Sequence, residues 1–140
     1  MKKLVILLVE DNSQDAFLVT EALEEQEFIA KIHHVEDGAK AILFLKKLPP
    51  YENEEQPNLI LMDINMPIMS GFEFLDEYHK RFLNKEVSIY MVSSSISKID
   101  QQKANSYANV HGYITKPLVN QNIIFIVDEY LYSNKSKPTQ

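Results

Sequence analysis

The chain has 140 residues, a hydrophobic fraction of 45% and no cysteine, which fits one globular domain and excludes a disulfide scaffold and a thiolate metal site. Asp and Glu number 20 against 14 Lys and Arg, and the net charge of −6 argues against a nucleic-acid surface. No apolar stretch has the length of a membrane span, and no signal-peptide cleavage site follows the first apolar run, so we expect a soluble, cytoplasmic protein that does not contact a membrane.

The first half of the chain alternates strand-like and helix-like segments. In chain order we predict a strand at residues 4–9, a helix from residue 13 to about 26, a strand at 31–35 and a helix at 39–48. Asn12 or Ser13 can cap the first helix. The Asp37-Gly38 pair signals a turn before the second helix. Residues 49–57 are acidic and contain three prolines, which predicts an irregular loop.

The second half continues the same alternation. We predict a strand at residues 59–62, a helix at 72–82, a strand at 88–92, a helix at 98–108, a strand at 113–115 and a helix at 122–131. This order favours right-handed crossovers and a doubly wound α/β fold, with a five-stranded parallel sheet and helices on both faces. We expect one domain at residues 1–132 and a polar tail at 133–140, with no output domain after it.

Polar side chains stand at the ends of several apolar strands. They are Glu10, Asp11, Asp63, Ser93 and Lys116. Parallel sheets bind ligands outside the carboxyl ends of their strands, so these side chains are expected to converge at one edge. Alone, Asp63 can also be an ordinary capping aspartate. Together with the other polar side chains, Asp63 has the properties of a carboxylate that accepts a phosphoryl group. A carboxylate is a weak nucleophile, so it needs positioning and charge neutralisation more than it needs a strong base.

Three of these groups are carboxylates that repel one another unless a cation joins them. Hard oxygen ligands favour Mg²⁺ or Mn²⁺. We expect Asp11 and Asp63 to ligate the ion directly and Glu10 to hold a coordinated water. Asn65, two residues after Asp63, can supply its backbone carbonyl.

Lys116 and Ser93 complete the expected site. Lys116 can be a solvated surface lysine, but its place between a strand and Pro117 favours pairing with Asp63 at rest and with a phosphoryl oxygen afterwards. The Lys116–Pro117 bond has a raised chance of being cis. Ser93 can be a turn serine, or its hydroxyl can donate to a phosphoryl oxygen.

Taken together, these residues resemble the receiver domain of two-component response regulators over residues 3–132. The matching segments are Val9-Glu10-Asp11-Asn12, Leu61-Met62-Asp63-Ile64-Asn65-Met66-Pro67 with Gly71, Val92-Ser93-Ser94 and Tyr113-Ile114-Thr115-Lys116-Pro117. The resemblance implies a flavodoxin-like sheet with strand order 2-1-3-4-5. It also implies phosphorylation of Asp63 by a sensor histidine kinase or a histidine phosphotransfer protein, with at most slow self-catalysed phosphorylation and dephosphorylation.

The resemblance assigns roles to the site residues. Glu10, Asp11, Asp63 and the Asn65 carbonyl would hold Mg²⁺, while Ser93 would move toward the phosphate and Lys116 would pair with it. Tyr113 occupies the family's aromatic switch position, although it can also be a half-buried strand tyrosine. In the family interpretation its ring swings inward and reshapes the face of the fourth helix, fifth strand and fifth helix, a population shift between two packings.

Within the family, the chain is similar to stand-alone regulators that pair with bacteriophytochrome-type kinases. The acidic insertion at residues 49–57 and the lack of an output domain support this similarity. Such proteins often pair through the face just described, so a homodimer is one expectation. The last helix has apolar residues beyond a single stripe, at Ile123, Ile124, Ile126 and Val127. The alternative is a deeply packed terminal helix.

Two rival functions use similar residues. A haloacid dehalogenase-type phosphohydrolase carries its nucleophile on the first strand and its acid pair last, whereas here the acid pair comes first, and Asn65 replaces the general acid that such an enzyme needs. A phosphorylation-independent binding module with this fold typically loses the nucleophile, the acids or the lysine, and all of them are present here.

Overall fold

The computed structural model describes residues 3–82 and 86–136, in which five strands alternate with five helices. The strands are β1 (Leu4–Val9), β2 (Ile29–Val35), β3 (Leu59–Met62), β4 (Ser88–Ser93) and β5 (Val110–Thr115). The helices are α1 (Ser13–Glu24), α2 (Gly38–Leu45), α3 (Gly71–Arg81), α4 (Lys98–Asn105) and α5 (Asn120–Ser136). The predicted alternation is confirmed.

The strands form one parallel sheet in the order β2-β1-β3-β4-β5, which confirms the expected fold class. β1 lies between β2 and β3, and its last residue, Val9, pairs with Val35 on one side and Met62 on the other. Glu10 and Asp63, which follow β1 and β3, therefore emerge side by side. β1 and β3 are buried along their whole length, as continuous apolar runs in a parallel sheet predict.

Each face of the sheet carries its own apolar core. Along β1, Leu7 and Val9 face one core while Leu4, Ile6 and Leu8 face the other. The first core contains buried side chains of α2, α3 and α4, among them Phe44, Phe74, Tyr78 and Ala104. The second contains buried side chains of α1 and α5, among them Val19, Leu23, Ile123, Ile126 and Val127. Both cores hold the strands in place beneath the site.

Several element ends differ from the predicted ones. β2 begins at Ile29, which pairs with Leu4, and β5 begins at Val110, which pairs with Ile89. Tertiary pairing extends both strands through residues with weak strand preference, such as Gly112. At Gly112 a Cβ would lie only 3.0 Å from the ring of Tyr90, so the lack of a side chain suits the pairing of β4 with β5.

Three helices also differ from the prediction in extent. α2 ends at Leu45 and α4 at Asn105, both earlier than predicted. α5 extends from Asn120 to Ser136, so it takes in the beginning of the segment 133–140 that the sequence predicts as a polar tail.

The last helix combines a buried stripe with exposed apolar side chains. Ile123, Ile126 and Val127 are at most 3% exposed, whereas Ile124 is 47% and Phe125 is 60% exposed. Part of the apolar surface predicted for this helix therefore packs in the core and part faces outward. Within residues 3–82 and 86–136, no helix combines the length and apolarity needed to cross a bilayer.

Candidate functional site

Asp63 lies directly after β3 and is only 8% exposed. Its backbone N–H donates to the carbonyl oxygen of Val9 at 3.1 Å, which fixes its position against β1. Its Oδ1 accepts a hydrogen bond from the backbone N–H of Ile64 at 2.7 Å, and its Oδ2 lies 3.1 Å from Nζ of Lys116. One carboxylate oxygen is thus held by a backbone N–H and the other by the ammonium of Lys116.

Lys116 is the positive centre of the site. Its ammonium contacts three carboxylates: Glu10 Oε1 at 2.6 Å, Asp15 Oδ2 at 2.9 Å and Asp63 Oδ2 at 3.1 Å. Its backbone N–H donates to the carbonyl oxygen of Ser93 at 2.8 Å, and the Lys116–Pro117 bond is cis. Burial acts to lower the pKa of Lys116, but the carboxylates outweigh it and hold the pKa above its usual value. The side chain is therefore charged.

Three acids converge beside this lysine. Glu10, Asp11 and Asp63 each offer a carboxylate oxygen, and these oxygens lie within 4.8 Å of one another. Burial raises the pKa of Glu10 and the Asp63 charge adds to this effect, while Lys116 and the N–H of Asn12 oppose it. Since the donors are hard oxygens at mutual distances that one ion can span, the group fits a divalent cation such as Mg²⁺ or Mn²⁺. The structure thus brings the three predicted acids together.

Ser93 is the last residue of β4, and it is fully buried. It pairs with Thr115, which directly precedes Lys116. Its Oγ accepts a hydrogen bond from the backbone N–H of Ser95 at 3.2 Å. The Ser95 hydroxyl in turn donates to Oδ2 of Asp100, in the first turn of α4, at 2.7 Å. The predicted hydroxyl therefore lies next to the predicted lysine and is linked to α4.

Tyr113 and Asn65 are the remaining residues that the sequence analysis assigns to the site. Tyr113 lies on β5 and pairs with Met91, its ring is half-buried against the core shared with α2, α3 and α4, and its hydroxyl donates to the carbonyl oxygen of Ser95 at 2.8 Å. Asn65 lies in the exposed part of the loop after Asp63.

Asp15 is a site residue that the sequence analysis missed. It lies in the first turn of α1, where an acid is ordinary because it suits the helix dipole. Its partner, Lys116, is 101 residues away along the chain, so no local pattern reveals the contact. The available signal is its place in the first turn of the helix that follows the Glu10-Asp11 pair.

A groove of about 610 Å³ runs alongside the site, between α1 and the segment that joins β5 to α5. Its walls include the apolar side chains of Leu18, Val19 and Val119, together with Asp15 and Lys116. The lysine is therefore reachable from an apolar depression at the surface as well as from the acid cluster.

Comparison with known proteins agrees with this geometry. The family model of the response regulator receiver domain matches residues 6–128. Response regulator Rcp1 of Synechocystis sp. is 36% identical over 112 residues, which are 80% of this chain and 76% of that protein.

Two solved structures align over almost their full length. The phosphorylated cyanobacterial phytochrome response regulator RcpA is 31% identical, with a TM-score of 0.77 and coverage of 98% of this chain and 97% of that chain. The Mn²⁺-bound form of response regulator Rcp1 is 30% identical, with a TM-score of 0.75 and coverage of 97% of both chains. The family match spans the acid pair, Asp63, Ser93 and Lys116. The chain therefore belongs to the response regulator receiver domain family, whose members bind a divalent metal and act in phosphorelay signalling.

Proposed function

We propose that Asp63 is the residue that accepts the phosphoryl group. The main support for this proposal is that Oδ2 of Asp63 lies 3.1 Å from the Lys116 ammonium, where three acids converge. In the reaction, a carboxylate oxygen of Asp63 forms a bond to phosphorus while the phosphorus–nitrogen bond of a phosphohistidine breaks, and the imidazole nitrogen keeps the electron pair. Receiver domains are phosphorylated by histidine kinases. We propose that the donor here is a sensor histidine kinase or a histidine phosphotransfer protein.

The metal in this proposal is Mg²⁺, for which Mn²⁺ can substitute. Asp11 and Asp63 would ligate it directly, Glu10 would hold a coordinated water, and Asn65 would supply its backbone carbonyl. When bound, the ion neutralises the charge of the phosphoryl oxygens as they approach the carboxylate. The oxygens of the three acids lie within 4.8 Å of one another, which supports this assignment.

Lys116 and Ser93 would bind the phosphoryl oxygens. Lys116 is already aligned on Asp63 by its backbone bond to Ser93, so a short side-chain movement suffices to reach a new oxygen. The Oγ of Ser93 accepts one hydrogen bond from Ser95, which leaves its own proton for donation. Because Lys116 and Ser93 would bind the phosphoryl oxygens and not act as bases, we expect at most a slow self-catalysed phosphorylation and dephosphorylation.

Tyr113 would report the modification to a partner-binding face. Movement of Ser93 toward the phosphate would shift Ser95, whose carbonyl oxygen holds the Tyr113 hydroxyl. The affected face comprises α4, β5 and α5, where Ile99 and Phe125 are exposed, and it is our proposed homodimer surface. New charge-assisted bonds at the site would bias the equilibrium between two packings of this face.

We also propose a cellular setting, by analogy with one relative. RcpA is named as a phytochrome response regulator, and we propose a phytochrome-type kinase as the phosphodonor here as well.

The receiver domain would span residues 1–132. The net charge of −6 supports a protein partner rather than nucleic acid or an anionic membrane surface, and the absence of cysteine is compatible with a cytoplasmic location.

Transfer from a radiolabelled histidine phosphotransfer protein tests the proposal. We expect label to move to the wild-type protein with Mg²⁺ present and to be released by hydroxylamine, as an acyl phosphate is. The Asp63→Asn variant should take up no label. Rapid multiple turnover of a small phosphate ester would instead support the phosphohydrolase, and no labelling from any donor would support the binding module.

A further inference from the structure

Two sets of contacts overlap at the site. The ammonium of Lys116 contacts Glu10, Asp15 and Asp63. The carboxylates that converge as possible ion ligands are Glu10, Asp11 and Asp63. Glu10 and Asp63 belong to both sets, so a bound cation and the lysine draw on the same two carboxylates.

Asp15 differs from the other two partners of the lysine. Among residues 3–82 and 86–136, it is the only carboxylate in contact with Lys116 that lies outside the group of converging acids. An ammonium has three N–H donors, and here each has a carboxylate within reach. When a divalent ion attracts the carboxylates of Glu10 and Asp63, directly or through a coordinated water, their contacts with the ammonium weaken, and the contact with Asp15 remains.

The local structure holds Asp15 at a fixed place relative to the acid pair. The N–H of Asn12 donates to Oε2 of Glu10 at 3.1 Å, and Oδ1 of Asn12 accepts the N–H of Asp15 at 2.9 Å. Two consecutive hydrogen bonds therefore join Glu10 to the first turn of α1. The Asp15 side chain is 39% exposed and that of Lys116 only 17%, so Asp15 contacts the ammonium from its solvent side.

We propose that Asp15 is a positioning residue, which anchors the Lys116 ammonium beside Asp63 while a divalent ion occupies the acid cluster. Without this anchor, repulsion between the ion and the ammonium would move the lysine away from the position from which it meets the phosphoryl group. This inference rests on the proposed ion site. It concerns Lys116 in the loaded, unphosphorylated protein, before any transfer takes place.

The test measures the accessibility of Lys116 with and without the ion. The wild-type protein and the Asp15→Asn variant are treated with an amine-acylating reagent, with or without saturating Mg²⁺, and the labelling of Lys116 is followed by peptide mass spectrometry. We expect Mg²⁺ to change the labelling rate of Lys116 little in the wild type. In Asp15→Asn it should raise the rate by about fivefold, the effect of losing one ion pair. Asp15→Glu, which retains a carboxylate, should restore most of the protection.

Controls separate charge and folding from positioning. Lys80, whose side chain is 72% exposed and which pairs with Glu77 at 3.9 Å, serves as the internal reference in every sample. Glu36→Gln removes an equal charge away from Lys116, and its Lys116 labelling should follow the wild type. A purely structural role for Asp15 would raise labelling of Lys116 to the same extent with and without Mg²⁺, and this result would overturn the inference.

Calorimetric titration of the same proteins with Mg²⁺ distinguishes the two levels of the proposal. Binding to the wild type, with loss in Asp11→Asn, supports the ion site. If Mg²⁺ binds but Lys116 labelling responds to it equally in the wild type and Asp15→Asn, only the role of Asp15 is overturned. If the wild type binds no Mg²⁺, the ion site fails and the inference fails with it.

Discussion

The hydroxyl of Tyr113 donates a hydrogen bond to the backbone carbonyl oxygen of Ser95, with 2.8 Å between the two oxygens. Through its N–H, Ser95 contacts Oγ of Ser93, and through its hydroxyl it contacts Asp100 in the first turn of α4. One loop residue therefore joins the carboxyl end of β4, an aromatic side chain of β5 and the start of α4. A displacement of Ser93, as proposed above, would reach both neighbours through this one residue.

Replacing Tyr113 with Phe removes this link and little else. The Ser95 carbonyl oxygen loses its donor in a half-buried place, so we expect the free energy of unfolding to fall by about 1 kcal/mol. Urea denaturation followed by circular dichroism measures the change. Tyr132→Phe is the matched control, because Tyr132 is 73% exposed, and it should have little effect. Equal changes in the two variants would contradict the structural importance of the bond.

Gly71 lies so close to the backbone of Asp63 and Ile64 that a side chain does not fit. A Cβ there would lie 2.4 Å from the carbonyl oxygen of Asp63 and 3.0 Å from Cα of Ile64. Because the obstacle is backbone, Gly71→Ala should lower the free energy of unfolding by roughly 1–3 kcal/mol. The control is Gly112→Ala, whose Cβ would meet ring atoms of Tyr90 at 3.0 Å, and a side chain can shift more easily. Thermal or urea unfolding that ranked Gly112→Ala as the worse variant would refute this explanation.

Ile68 has a left-handed backbone conformation, with φ of 68°, and its side chain is 81% exposed. A β-branched residue is strained there, and Asn tolerates the same conformation. We therefore expect Ile68→Asn to raise the free energy of unfolding by about 1 kcal/mol. Ile99→Asn tests whether loss of an exposed apolar side chain is the cause, because Ile99 is 77% exposed but lies in α4. Stabilisation of both variants to the same degree would rule out backbone strain as the source.

His33 on β2 should make stability depend on pH. Burial lowers the pKa of His33, and Lys31 acts in the same direction, while Glu54 and Glu55 oppose them. The folded chain thus binds a proton at His33 less readily than the unfolded chain, where the pKa is about 6.5. The unfolded state binds more protons just below that pH, so stability falls as the pH is lowered through this window.

The pH effect is measured by urea denaturation at a series of values between about pH 7 and pH 5. The slope of the free energy of unfolding against pH should be smaller in His33→Gln than in the wild type. The comparison uses slopes because the substitution also changes packing against Phe44, whose ring centroid lies 4.8 Å from that of His33. An unchanged slope would show that His33 has the same pKa in both states.

The predicted fold follows from strong local signals. β1 and β3 have the predicted bounds, because each is a continuous apolar run that ends at an acid. The sequence predicts β5 too short, because His111 and Gly112 have little strand preference. Pairing with β4 extends the strand back to Val110. Propensity therefore identified the elements, and pairing determined where they end.

Some of the site residues could be predicted from the sequence, and one could not. Asp63, Glu10 and Lys116 could be found because each directly follows an apolar strand, and parallel strands bring such positions to one edge. Asp15 could not, because it lies on a helix and its contact with Lys116 depends on how α1 packs beside the end of β5. The sequence predicts which residues stand at strand ends but not which helix side chain reaches over them.

Phosphorylation of Asp63 is tested most directly by the intact mass of the protein after incubation with a small acyl phosphate. We expect the wild type to gain the mass of one phosphoryl group only when Mg²⁺ is present, and to lose it on treatment with hydroxylamine. Asp63→Asn, in which the amide keeps the shape of the side chain, should gain nothing. Two results would contradict the assignment of Asp63 as the phosphoacceptor. One is an adduct in Asp63→Asn with the same yield as in the wild type. The other is no adduct in a wild-type protein that has been shown to bind Mg²⁺.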